Sequence, residues 1–158
     1  PMRQKITPFL WFDGQAEEAA RFYTSIFKNS SLGEISRYGP EGPGPAGSAM
    51  TVSFTLEGMN FTALNGGPEY KFTPAISFYV DCKTQEEVDF LWDRLVEGGR
   101  PDQCGWLVDR FGVSWQIVPS ALIELLGDPD REKAGRVMQA MLKMVKIDIA
   151  ELRRAYAG

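Results

Sequence analysis

The chain of 158 residues contains no histidine. That absence removes histidine triads, histidine general bases and imidazole metal ligands together. Any catalysis has to use Asp, Glu, Lys, Tyr, Cys or backbone groups. Cysteine is scarce as well. Cys82 and Cys104 make no disulfide framework, and a reducing cytoplasm is the expected compartment. No apolar run is long enough to cross a bilayer and no secretory pattern opens the chain, so no membrane partner is expected. Positive charge is in deficit, with a net charge of −4. Such a balance gives no general attraction to phosphate backbones, and nucleic acid is not an expected partner.

What is present is enough for a core. Hydrophobic residues make up 44% of the chain, with Phe 10, Tyr 5 and Trp 4 spread along it. One compact domain over residues 2–158 is the natural reading for this length. Residues 6–12 read as a strand, and Asp13 stands where a helix N-cap belongs, with Glu17 and Glu18 in the first turn. Ala19, Phe22, Tyr23, Ile26 and Phe27 follow at helical spacing, and Asn29 closes the helix. Residues 35–38 predict a short strand, and Gly39 to Gly47 a Gly/Pro loop that is flexible or semi-rigid. Met50, Val52, Phe54 and Leu56 then alternate with Thr51, Ser53 and Thr55, a half-buried strand that turns at Glu57-Gly58 into residues 59–64.

The pattern then restarts. Residues 75–80 predict a strand, Thr84 with Glu87 a capping box, and Val88, Leu91, Trp92 and Leu95 a helix stripe ended by Gly98-Gly99. Strands over 107–108 and 113–118 flank the turn Asp109–Gly112. The shift that carries Asp13 onto Asp81 also carries Glu18 onto Glu86 and Phe22 onto Phe90. A repeated strand–helix–strands pattern predicts an α+β fold of two βαβββ modules, 2–68 and 72–119. Residues 120–158 form a helical tail whose apolar face (Val137, Met138, Met141, Leu142, Val145) either packs on the protein or lines a ligand wall.

The stretches Ala16–Phe27, Ala63–Pro68, Phe72–Cys82, Gln103–Pro119 and Val137–Gly158 together resemble PhnB-like proteins of the vicinal-oxygen-chelate (glyoxalase/bleomycin-resistance/dioxygenase) superfamily. The resemblance implies paired modules with curved mixed sheets around a cleft, usually in a homodimer, with modules that pair across subunits in some cases. It also brings a demethylubiquinone methyltransferase label. The glycines at 39, 42, 44 and 47 lead into a strand rather than a helix, which does not fit the cofactor loop of the usual methyltransferases. Many superfamily relatives hold a divalent metal with His and Glu from four strands. The corresponding strands here offer Thr7, then Asn60, Thr62 and Asn65, then Ser77 and Tyr79, and finally Gln116 in place of the usual Glu. A neutral amide replaces a carboxylate poorly at a dication, so neither a metal nor another cofactor is expected.

Alternation of the strands places a small polar set (Thr51, Ser53, Thr62, Ser114 and Gln116) toward the cleft, with Asn65 at a strand end beside Gly66-Gly67. Trp106 and Trp115 either complete an aromatic wall or belong to the core. Cys104 is a candidate nucleophile or an inert thiol, with Lys71, Arg100 and Arg110 as possible activating cations. Glu69 stands where PhnB-like relatives often place a His, and is either a carboxylate base or a turn residue. Three functions follow: a metal-independent small-molecule-binding protein, a metal-independent enzyme acting on a small apolar or carbonyl substrate through Glu69 or Cys104, and an interaction protein with a vestigial cleft. The first is favoured by the missing histidine, and the methyltransferase reading is disfavoured.

Overall fold

The computed structural model describes residues 3–158, so the expected domain start at Met2 lies outside the described residues. Two compact units divide after Phe72. The first runs β1 (Phe9–Phe12), α1 (Ala16–Ile26), β2 (Ser31–Arg37), β3 (Ala49–Leu56) and β4 (Met59–Asn65), in the sheet order β1-β4-β3-β2. The β1–β4 pair is parallel and the others are antiparallel. The second unit repeats this plan with β5 (Phe78–Cys82), α2 (Gln85–Val96), β6 (Arg100–Pro101), β7 (Trp106–Val108) and β8 (Ser114–Pro119), ordered β5-β8-β7-β6. Two mixed four-stranded sheets with the same connectivity establish the α+β class and the duplicated βαβββ plan, and neither sheet is closed.

Period-two alternation sorts each sheet into two faces. In the first unit Leu10, Ala63 and Val52 lie in register across the sheet, as do Phe61 and Phe54. These residues are buried, and α1 packs its Ala16, Ala19, Ala20, Tyr23 and Ile26 against that side of the sheet. In the second unit Phe78, Trp115 and Leu107 form the corresponding row, covered by Val88, Leu91, Trp92 and Leu95 of α2.

Several expected element ends are corrected. β1 starts at Phe9 and β5 at Phe78, both later than the apolar runs predicted. Gln15 rather than Asp13 takes the N-cap position of α1, with no side-chain bond to the helix. The first-turn amide of Ala16 is instead satisfied by Asn65 Oδ1 at 2.9 Å, a partner from the far end of β4 that local sequence cannot reveal. Helix α1 ends at Ile26, and Asn29 lies beyond it in a left-handed turn with φ 48°. Strand β2 begins at Ser31, ahead of the predicted residue 35; a bulge between Leu32 and Ile35 breaks the alternation that would announce the earlier start.

The capping box holds: Thr84 Oγ1 accepts from the Glu87 amide at 3.1 Å. The Glu87 carboxylate reaches back one residue further than the usual box, to the Lys83 amide at 2.7 Å. Beyond β8, α3 (Ser120–Leu126), α4 (Arg131–Leu142) and α5 (Ile149–Ala157) gather Val118, Leu122, Val137, Ile147 and Leu152 into a separate core, with Met141 and Met144 packed on it. Met141 and Met144 thus take the packing role, whereas Met138, Leu142 and Val145 are exposed. No helix among the described residues is long and apolar enough to cross a membrane.

Candidate functional site

The face of the first sheet turned away from α1 carries hydroxyls and aromatics side by side. Phe9, Thr62 and Ser53 form one row across β1, β4 and β3, and Trp11, Leu64 and Thr51 form the next. Phe9 is 62% exposed. The Tyr70 ring stands edge-on to Trp11, with centroids 4.9 Å apart. On this face lies a hollow of about 370 Å³ lined by Thr7, Gly33, Glu34, Ser53, Thr55, Asn60 and Thr62. Thr55 Oγ1 and Asn60 Oδ1 bond to each other at 2.9 Å. The side chains of Thr7, Glu34, Ser53 and Thr62 make no hydrogen bond or ion pair among the described residues, so their donors and acceptors are available to a guest.

A second hollow, of about 560 Å³, lies beneath the Gly/Pro loop, between Asp13, Glu17, Arg37, Pro43, Pro45 and Gly67. Its polar groups are mostly engaged. Glu17 pairs with Arg21 at 2.9 Å and Arg37 donates to the Gly47 carbonyl at 3.3 Å. The Tyr38 hydroxyl donates to the Asn65 carbonyl, and Asn65 Nδ2 to the Ala49 carbonyl at 3.1 Å. The loop itself is folded onto buried Tyr38: a Cβ on Gly44 would fall 2.3 Å from that ring. The sequence signal for this cover was the Gly/Pro spacing, which reads only as a loop until the tyrosine is seen beneath it.

The sequence candidates separate by face. Thr51, Ser53 and Thr62 share the open face of the first sheet. Asn65 is in register with Phe12 on the helix side, where its amide is spent on Ala16 and Ala49. Gly66 borders the second hollow with Asn65 and also admits the Trp11 ring, which would lie 2.4 Å from an added Cβ. In the second unit Trp106, Gln116 and Tyr79 form a row on the face away from α2, and Gln116 Nε2 donates to Ser77 Oγ at 3.0 Å. Ser114 is on that face but only 2% exposed, and its hydroxyl has no hydrogen-bond partner among the described residues.

Trp115 lies on the opposite side, 3% exposed, its indole N–H donating to Asp109 Oδ2 at 2.9 Å. Asp109 also accepts from the amides of Phe111 and Val113, so the pair locks the turn before β8. The phenol of Tyr79 is pushed above its ordinary range by burial first, then by Asp81 and Cys82, and stays protonated at neutral pH.

Cys104 sits at φ 57° with its amide donating to the Met144 carbonyl at 2.8 Å, and its thiol is partly buried. Glu69 is exposed in the turn after β4. Neither side chain has a hydrogen-bond or ion-pair partner among the described residues that would activate it.

The donor set does not fit a divalent metal. The strand positions carry hydroxyls and amides, Gln116 is turned to Ser77, and no group of three or more Cys, Asp or Glu among the described residues is arranged to hold an ion.

Comparison with known proteins places this geometry. The family model for 3-demethylubiquinone-9 3-methyltransferase matches residues 4–118, ending inside β8. A PhnB protein from Bacillus cereus is 42% identical over 73% of this chain and 99% of its own, with a TM-score of 0.68. A protein from Pseudomonas aeruginosa, 22% identical over 74% of this chain and 98% of its own, superposes with a TM-score of 0.61. The fosfomycin resistance protein FosX of Listeria monocytogenes, solved with manganese and sulfate, is 15% identical over 73% of this chain and 90% of its own, with a TM-score of 0.51. No curated protein matches. The last two likenesses concern the fold alone. With the family model and the Bacillus cereus relative agreeing on a chain of duplicated βαβββ units, the protein belongs to the PhnB-like 3-demethylubiquinone-9 3-methyltransferase family and has the glyoxalase-like fold.

Proposed function

We propose that the protein binds a small molecule on the open face of its first sheet and does so without a metal. The hollow of about 370 Å³ beside Ser53 and Thr62 carries the reading. Its volume is within the range of small-ligand sites, roughly 300–1,000 Å³, and the hydroxyls of Thr7, Ser53 and Thr62 in its lining have no partner among the described residues. Thr51, on the same face of the first sheet, supplies further contact surface for the binding role. A homodimer and a cytoplasmic location belong to the same proposal; exposed Ile6, Phe9 and Tyr70 favour the dimer.

Catalysis through Glu69 or Cys104 gains no support, because neither has an activating partner. The methyltransferase activity in the family description is not carried over either. The Gly/Pro loop joins the antiparallel strands β2 and β3. The strand-to-helix turn before α1 holds a single glycine, Gly14, and the Ala16 amide behind it is already taken by Asn65.

Native mass spectrometry of protein purified without chelator tests the proposal. The expected result is a non-metal adduct that disappears when Thr62→Trp fills the hollow. A stoichiometric divalent metal, or an adduct retained unchanged in the filled variant, overturns it. The same spectrum reads the dimer mass.

A further inference from the structure

We propose that Glu34 is the charge-selecting residue of the open-face hollow, which takes a ligand bearing an amine or other cationic group and disfavours anions. This inference rests on the small-molecule reading above and adds the class of ligand. Its origin is the bulge in β2. Leu32 pairs with Phe54 and Ile35 with Val52, so β2 advances three residues while β3 advances two. Phe54 and Val52 are buried on the helix side. Two residues, Gly33 and Glu34, therefore stand together opposite Ser53, where a regular strand would place one. Bulges re-aim side chains in this way.

Gly33 makes the bulge possible, because its backbone comes so close to β3 that an added Cβ would sit 3.0 Å from the Ser53 carbonyl oxygen. Glu34 is the residue the bulge adds. It is exposed, it lines the hollow, and its carboxylate has no partner among the described residues. No Lys or Arg lines the hollow with it. The remaining polar lining is hydroxyl and amide, which donate and accept without a net charge. A guest thus meets one uncompensated negative charge, and a cationic group is the complement to it.

Three 2-substituted naphthalene probes test the assignment on the full chain: 2-naphthylmethylammonium, 2-naphthol and naphthalene-2-sulfonate, titrated against ¹⁵N-labelled protein. The ammonium probe is expected to bind about fivefold more tightly than the sulfonate, the scale of one partly exposed charge pair. It should shift the amides of Gly33, Ser53 and Thr62. Glu34→Gln is expected to bring the two within about twofold while the naphthol is unaffected. The Glu34→Gln spectrum in the absence of probe reports its fold directly, and Glu34→Asp is expected to retain the ammonium preference. A sulfonate that binds as well as the ammonium, or a preference that survives in Glu34→Gln, overturns the inference and leaves the binding reading standing. No shift on this face with any probe overturns the binding reading and this inference with it.

Discussion

At the scale of single residues, the two cysteines are set apart by their surroundings. Cys82 at the end of β5 is fully buried, and its thiol is pushed up to about 12 by that burial first, then by the carboxylates of Glu87 and Asp81. A folded-state value above the ordinary 9.0 means that the folded chain holds the proton while the unfolded chain releases it. The associated stability is whole below pH 9 and is lost as pH rises from there toward 12. Cys82→Ala should therefore show a shallower fall in stability than the wild type across that alkaline window, measured by urea unfolding at stepped pH. Parallel curves would mean that the thiol does not titrate as its burial requires.

Elements carry the next level of constraint, and the glycines show where it is tightest. Gly66 directly follows β4, against the ring of Trp11 from β1, and the Trp11 indole N–H donates to the Gly67 carbonyl at 2.9 Å. The ring cannot swing away without giving up that bond. Gly66→Ala is expected to cost about 1–3 kcal/mol by overpacking, read as a lower urea midpoint at unchanged slope. A neutral result would show that Trp11 re-seats freely. Alternation in β3 and β4 was legible because residue after residue obeys it, from Thr51 and Ser53 on the open face to Val52 and Phe54 beneath α1. The same rule puts Trp115 opposite Ser114 and Gln116, so its burial with Asp109 was within reach of the sequence. The bulge at Gly33-Glu34 was not, because an extra residue erases the period that announces a strand. Nor was β6, whose two residues are too few to carry any period. The cap of α1 was hidden for a different reason: Asn65 is distant in sequence and only the parallel β1–β4 pairing brings it to Ala16.

At the scale of the molecule, the family match ends at Val118, whereas the chain continues through α3, α4 and α5. Within the second unit the tail is stitched to the βαβββ part by polar links as well as by its own core. The amides of Cys104 and Gly105 donate to the carbonyls of Met144 and Val145, and Lys146 pairs with Asp89 at 2.9 Å. Gln85 spans the join from the first turn of α2: its Nε2 donates to the Ile147 carbonyl at 3.0 Å and its Oε1 accepts from the Ile149 amide at 2.8 Å. One side chain thus satisfies both backbone groups that flank the start of α5. Ile147 is fully buried beside Gly105, where an added Cβ would lie 3.1 Å from its side chain, so water has poor access to replace the lost partner. Gln85→Ala is therefore expected to destabilise the chain by about 1–2 kcal/mol, the cost of leaving partly buried backbone groups unpaired. Hydrogen exchange should accelerate first at Ile149 and through α5, before the strands of the second unit. If exchange in α5 keeps its wild-type rate, the apolar cluster of Val118, Leu122, Val137 and Leu152 holds the tail by itself, and Gln85 is incidental to the joint.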